Sequence, residues 1–281
     1  SSAASDVYKR QPLYMRGQHV AASLLALIGE GILLVAAWRW SSASAPGGAG
    51  DLARVAMLTL AMIIFQALLG MWTVTWLLKP IVVMGHLLGG LATFGLLVWM
   101  AWRATQLPIT LVDARALKRV LGVGLGLLVV QIALGGWVSA NYAALACGGG
   151  SWRMANFPQC VGQWWPPHDF HEGFTLWRGI GVDYEGGVLD GASRIAIQMA
   201  HRLMAIVLAC WLVFCALRLW RQPGMRGWGA GLLAALLAQV TLGILNVKLA
   251  LPLGVAVLHN AGAVVLLFVL VSLLARLRTP E

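Results

Sequence analysis

Gln66-Ala-Leu-Leu-Gly70, then Val74 and His86, reappears as Gln239-Val-Thr-Leu-Gly243, then Val247 and His259, at a single offset of 173 residues. In each copy a proline, Pro80 or Pro252, separates two apolar runs. Each copy therefore reads as one helix, a tight turn and a second helix. Packing alone does not explain a histidine at the same point of a repeated hairpin. Internal repetition of this kind sets the architecture before any single residue does.

The surrounding composition says where the hairpins live. The chain has 281 residues, of which 60% are hydrophobic and 11% charged, against about 25% charged in soluble domains. It reads as an all-α integral membrane protein whose solvent is the lipid bilayer. Seven apolar runs, at about 19–38, 54–78, 81–102, 118–140, 194–217, 228–249 and 253–275, are each long enough to span. The net charge of +10 does not point to nucleic acid. Arg39 and Arg54, then Arg103, Arg115, Lys118 and Arg119, then Arg218, Arg221 and Arg226, and finally Arg276 and Arg278 sit in loops on one side. That side is expected to be cytoplasmic. The turns at Lys79–Pro80 and Leu251–Pro252 and the long segment 141–193 then lie outside, with the N-terminus outside and the C-terminus inside.

Residues 1–11 (SSAASDVYKRQ) lack the apolar core of a signal peptide and read as a foreign or disordered end. Residues 12–110 form an N-terminal membrane half, and residues 111–281 a C-terminal half with the outer loop 141–193. The second half has four runs and the first has three. Two pseudo-repeated four-helix bundles would need eight, so the first helix and its outer loop read as missing.

Four histidines fall near one depth. His86 lies six residues after Pro80 and His259 seven after Pro252, roughly 9–10 Å inside the outer helix ends. His201 lies about two turns into its helix after Asp190, and His19 opens the first surviving run. Ionisable residues inside spans are costly and usually functional. Neutral imidazole is an axial ligand for haem iron, and bundle cores hold cofactors between facing helices. The expected iron ligands are His19 with His86 and His201 with His259. Gly89, Gly90 and Gly262 would make room for porphyrin faces, and Arg202 would pair with a haem propionate. A histidine hydrogen-bonded between helices is the plainer alternative at any one of these positions.

Other residues carry weaker signals. Gln66, Gln131 and Gln239 each precede a glycine by four, which puts both on one helix face. They are expected to be polar links between helices, with contact to a haem edge as the alternative. Glu30, mid-span, is a candidate for a proton path. His168, Asp169, His171 and Glu172 read as a solvated turn before they read as a metal site. Trp137, Trp152, Trp164, Trp165 and Trp177 suit the outer interface. Cys210 and Cys215 are expected to be small buried hydrophobes. Cys147 and Cys160 flank a loop on the side where a disulfide is permitted, two free thiols being the alternative.

Gln131-Ile-Ala-Leu-Gly-Gly-Trp-Val-Ser-Ala-Asn141, Gly162-Gln-Trp-Trp-Pro-Pro167 and Asp169-Phe-His-Glu-Gly-Phe174 resemble the haem A synthase family of bacteria and mitochondria. So do Cys147, Cys160, His201-Arg202, Leu68-Leu-Gly-Met-Trp-Thr-Val-Thr75, His86-Leu-Leu-Gly-Gly90 and His259-Asn260, over about residues 19 to 275. The resemblance implies haem b held by His201 and His259, and a site for substrate haem O near His19 and His86. It implies oxidation of the haem C8 methyl group to a formyl group, giving haem A for cytochrome c oxidase assembly. It further implies a multi-pass protein of the bacterial inner membrane, haem sites toward the periplasm, and a haem O synthase as partner. The electron acceptor or donor stays open.

Two departures stand out. The family has a glutamate, thought to be catalytic, three residues before its first histidine; here that position is Arg16, and His19 is followed by Val20 where the family often has arginine. The catalytic residue is therefore unknown, and the N-terminal half reads as truncated, so this chain can lack activity. A bis-histidine cytochrome b that only transfers electrons is the alternative function. A haem or metal carrier is a third, and the lack of Gly/Pro breaks mid-span counts against it.

Overall fold

The computed structural model describes residues 49–148, 157–179 and 181–280. The run 19–38, with Arg16, His19, Glu30 and Arg39, lies outside the described residues, as do residues 1–11 and Trp152. The chain builds α1 (Ala49–Thr75), α2 (Pro80–Thr105), α3 (Ala114–Ala140), a short α4 (Phe170–Gly173), α5 (Gly191–Trp220), α6 (Arg226–Lys248) and α7 (Leu253–Arg276). All but α4 are long and apolar enough to cross a membrane, so six of the seven runs are seen as spanning helices. Lipid offers no partner for backbone N–H and C=O groups, so long apolar runs satisfy them as helices.

α3, α5, α6 and α7 close into a ring: α3 packs on α5, α5 on α6, α6 on α7, and α7 back on α3. α5 and α7 therefore face each other across its diagonal. The α1–α2 hairpin joins through α2, which packs on α3 and α7. At the end bearing the arginines, the basic end, Trp102 donates from Nε1 to Ser272 Oγ at 2.6 Å, and Arg276 lies 4.8 Å from the same indole. Two residues of the α2–α3 connection, β1 (Ile109–Thr110), pair in parallel with β2 (Leu277–Arg278). Together these contacts pin α2 to α7.

Packing inside the ring is uneven. Leu121, Leu212, Leu232 and Leu270, one from each helix, are all wholly buried in the half toward the basic end. Toward the other end, which carries the long loop, burial lapses over a stretch of three of the helices. No residue of α5 from 200 to 207, of α6 from 237 to 245 or of α7 from 253 to 265 is buried. A close-packed ring would bury about one residue per turn on each helix. The interior therefore widens toward the loop end.

Three helices end at the loop end in the same way. Backbone N–H groups of Leu78, Ala143 and Leu251 reach back five residues to the carbonyls of Thr73, Val138 and Asn246, at 2.9, 2.9 and 2.8 Å. Each ending carries a non-glycine residue in the left-handed region: Leu77 (φ 52°), Tyr142 (φ 53°) and Ala250 (φ 56°). This is the six-to-one closure that usually recruits glycine.

α5 starts one turn beyond its neighbours because Asp190 caps it, accepting from Ser193 N at 2.8 Å. Its carboxyl is held below its ordinary value of 3.8 by Ser193, whose backbone N–H donates to it.

Two tests follow from these elements. Ala250→Gly should raise the apparent melting temperature in detergent, because a left-handed alanine costs about 1 kcal/mol. Gly229→Ala should lower it, because a Cβ there would sit 2.8 Å from the Ala216 carbonyl. No change in either would contradict the strain and the close approach. The Asp190 carboxylate is favoured in the fold, so its contribution is present above the unfolded value of 3.8 and lost as pH falls through the lower folded value. Asp190→Ala should thus be less stable than the parent at neutral pH, with the gap closing in acid; a gap independent of pH would count against the cap.

Candidate functional site

The three matching helix ends place three matching seats. Gln66 and Gly70 in α1, Gln131 and Gly135 in α3, and Gln239 and Gly243 in α6 keep one spacing, and each helix stops five residues after its glycine. The next spanning helix lays a histidine on that glycine. A Cβ added at Gly70 would stand 3.2 Å from His86 Cε1, at Gly135 3.2 Å from His201 Cε1, and at Gly243 3.0 Å from His259 Cε1. Small residues are what let membrane helices approach closely enough for this. His86, His201 and His259 therefore share one level, fixed by their partner helices. His201 is the eleventh residue of α5, three turns in, because α5 overhangs.

The glutamines fill the seats in two ways. Gln131 brings its amide nitrogen to 3.1 Å from His201 Nδ1 and 3.4 Å from His201 Nε2, and donates to the His201 carbonyl at 3.2 Å. Gln66 and Gln239 lean instead into notches left by Gly89 and Gly262, where an added Cβ would overlap their amides. Gln239 Nε2 comes only to 3.5 Å of His259 Nε2, and the Gln66 amide has no hydrogen-bond partner among the described residues. The space at Gly89 and Gly262 thus goes to glutamine amides. Three occurrences of Gln-x-x-x-Gly were visible in the sequence; their pairing with the histidines was not, because it depends on the turn that follows each.

Buried polar atoms without partners among the described residues collect at this level: His259 Nδ1, Gln239 Oε1, Gln131 Oε1, both Gln66 amide atoms, and Arg202 Nε and Nη2. Each such atom costs on the order of 1–3 kcal/mol unless a partner arrives. Arg202 uses only Nη1, donating to the Pro158 and Gln159 carbonyls at 3.2 and 3.4 Å. A disulfide between Cys147 and Cys160 ties that strip to the turn after α3, and Val161 N donates to the Cys147 carbonyl at 3.0 Å.

The long loop also reaches over the α1–α2 turn. Lys79 is buried, with Nζ 3.3 Å from the Trp177 ring centroid and 3.4 Å from the Gly179 carbonyl. Burial pushes its pKa down. Tyr184 N donates to the Leu77 carbonyl at 3.2 Å.

The other sequence candidates resolve individually. Asp169 caps α4 at Glu172 N, Glu172 pairs with Arg178, and His168 Nδ1 sits 2.8 Å from the Pro166 carbonyl. No cluster of three or more His, Cys, Asp or Glu suited to a metal ion occurs among the described residues. Trp164, Trp165 and Trp177 are exposed, but Trp137 is buried, its Nε1 donating to the Gly173 carbonyl at 2.9 Å. α4 folds over the end of α3 and takes Trp137 out of the interface. Cys215 is buried, whereas Cys210 is exposed on the outer side of α5.

Residues 20–271 match the family model described as cytochrome oxidase assembly protein. The chain is similar to the heme A synthase of Shewanella oneidensis, 42% identical over 214 residues, covering 75% of this chain and 63% of that one. It is similar to the heme A synthases of Paracoccus denitrificans (31% over 188 residues; 64% of this chain, 45% of that one) and Caulobacter vibrioides (31% over 232 residues; 76% and 60%). The match thus spans less than two thirds of these relatives' lengths. With nine-tenths of its length inside the family model, the chain belongs to the cytochrome oxidase assembly protein family, the family of the haem A synthases.

Proposed function

We propose that this chain is a membrane-embedded haem A synthase that oxidises the C8 methyl group of haem O to a formyl group, for use in cytochrome c oxidase assembly. One observation carries the reading. His201 and His259 stand on the diagonally opposed helices α5 and α7, at one level, around the part of the ring where no residue of α5, α6 or α7 is buried. Two imidazoles facing across this widened interior would hold haem b through its iron.

The surrounding groups fit the same ligand. Arg202 holds two unpartnered guanidinium nitrogens beside His201, suited to a propionate. The disulfide-tied strip holds Arg202 through its carbonyls and covers that end of the ring. Haem b, when bound, supplies one-electron transfer. His86, seated like His259, is the matching imidazole for substrate haem O, with His19 as its partner. The long loop closes over the α1–α2 turn through Lys79 and Tyr184 and limits water there. In this reading the loop end faces the periplasm across the bacterial inner membrane, and a haem O synthase delivers the substrate.

The test is haem extraction and chromatography from membranes that express the chain with a haem O synthase. Haem A beside haem B supports the synthase. Haem B alone leaves two readings, the electron-transferring cytochrome b and a synthase inactive in this form, and the same extraction from a form extended to the relatives' length separates them: haem A there supports the synthase, haem B alone the cytochrome. Within the purified protein, Gly243→Ala and Gly135→Ala should lower haem B per polypeptide several-fold, since the added methyl pushes each histidine. Gly254→Ala, with nothing within 4 Å, should leave it unchanged. Equal haem content in all three would contradict the seats. Replacing Cys147 and Cys160 by serine together should also reduce haem retention, read by pyridine haemochrome; full retention would show that the strip does not hold Arg202 in place.

A further inference from the structure

The two imidazoles across the ring are not held alike. The Gln131 amide nitrogen lies nearly equidistant from both ring nitrogens of His201, at 3.1 and 3.4 Å. An atom so placed in the ring plane would overlap Cε1, which lies between those nitrogens, so the amide rests on the ring face. Its orientation is set by the His201 carbonyl, which accepts from the same nitrogen at 3.2 Å and would repel the amide oxygen. Gly135, one turn along the same face of α3, meets the ring at Cε1. His201 is thus clamped by an amide anchored to its own backbone.

His259 lacks this clamp. Gln239, at the equivalent position, is drawn into the Gly262 notch, approaches His259 Nε2 only to 3.5 Å, and leaves His259 Nδ1 without a partner. The residue three after His201 is Met204, so α5 has no such notch to draw Gln131 away. His86 follows the His259 pattern, with Gln66 in the Gly89 notch.

We propose that Gln131 is a positioning residue that fixes the imidazole plane of His201, and that Gln239 plays no such part for His259. The resident haem then has one rigid and one yielding ligand. The His86 seat is of the yielding kind, as suits a haem that must enter and leave. Groups around a metal-ligating histidine commonly set its orientation in this manner. The inference rests on the haem-binding reading above.

The test compares Gln131→Met with Gln239→Met in the purified full chain, each keeping length while losing the amide. Electron paramagnetic resonance of the ferric haem reads the relative orientation of the two imidazole planes through its lowest-field g value. Transfer to apomyoglobin reads haem loss. Gln131→Met should shift the g value and speed haem loss several-fold, or fail to retain haem; Gln239→Met should leave both readouts as in the parent. Unchanged readouts in Gln131→Met, or equal changes in the two variants, would overturn the proposal. A parent protein without haem b would instead defeat the functional reading beneath it.

Discussion

Everything at the loop end depends on helix backbones that come close enough to press an imidazole against a bare Cα. Gly70, Gly135 and Gly243 supply that surface, and a single methyl at any of them would displace a histidine. In lipid there is no hydrophobic gain from bringing helices together, so contact has to come from close packing and polar links. The chain uses both devices at one place. Each glycine gives the approach, and the glutamine one turn away either meets the ring, as Gln131 does at His201, or turns into a neighbouring glycine notch, as Gln66 and Gln239 do.

This constraint explains the division of the ring along its length. Leucines pack the half toward the basic end, where Leu121, Leu212, Leu232 and Leu270 are wholly buried. Toward the loop end the helices meet through glycine, histidine and glutamine, and residues 200–207, 237–245 and 253–265 include no buried position. The leucine half acts as a rigid base, and Trp102, Ser272 and Arg276 fasten the α1–α2 hairpin to it. The other half presents polar groups with no hydrogen-bond partner among the described residues, among them Arg202 Nε and His259 Nδ1.

Much of this was legible in the residues. Six of the seven apolar runs appear as helices within a few residues of their expected bounds, because a span of 20 or so apolar residues has one structural solution in lipid. The repeat around His86 and His259 extends to the backbone of the turn: Leu77 matches Ala250 in conformation though not in side chain, and Leu78 matches Leu251 in both. What the sequence hid was register between helices. Nothing in Gln131-Ile-Ala-Leu-Gly135 says which histidine it meets, since the loop that returns α5 to α3 is long and irregular. The same loop buried Trp137 and set α5 a turn beyond its neighbours. Cys210 reads as a core residue by composition, but helix phase turns it outward while Cys215 faces in. The space beside Gly89 and Gly262, read from the sequence as room for a porphyrin, holds a glutamine amide in the structure.

The most direct measurement of the central claim is haem B content and low-spin ferric signal in purified His201→Ala, His259→Ala and His86→Ala variants. If His201 and His259 hold one haem across the ring, each of their variants loses the bis-imidazole signal and most of the haem B, while His86→Ala keeps both. Retention of the signal in His201→Ala or His259→Ala, or its loss in His86→Ala alone, would contradict the account.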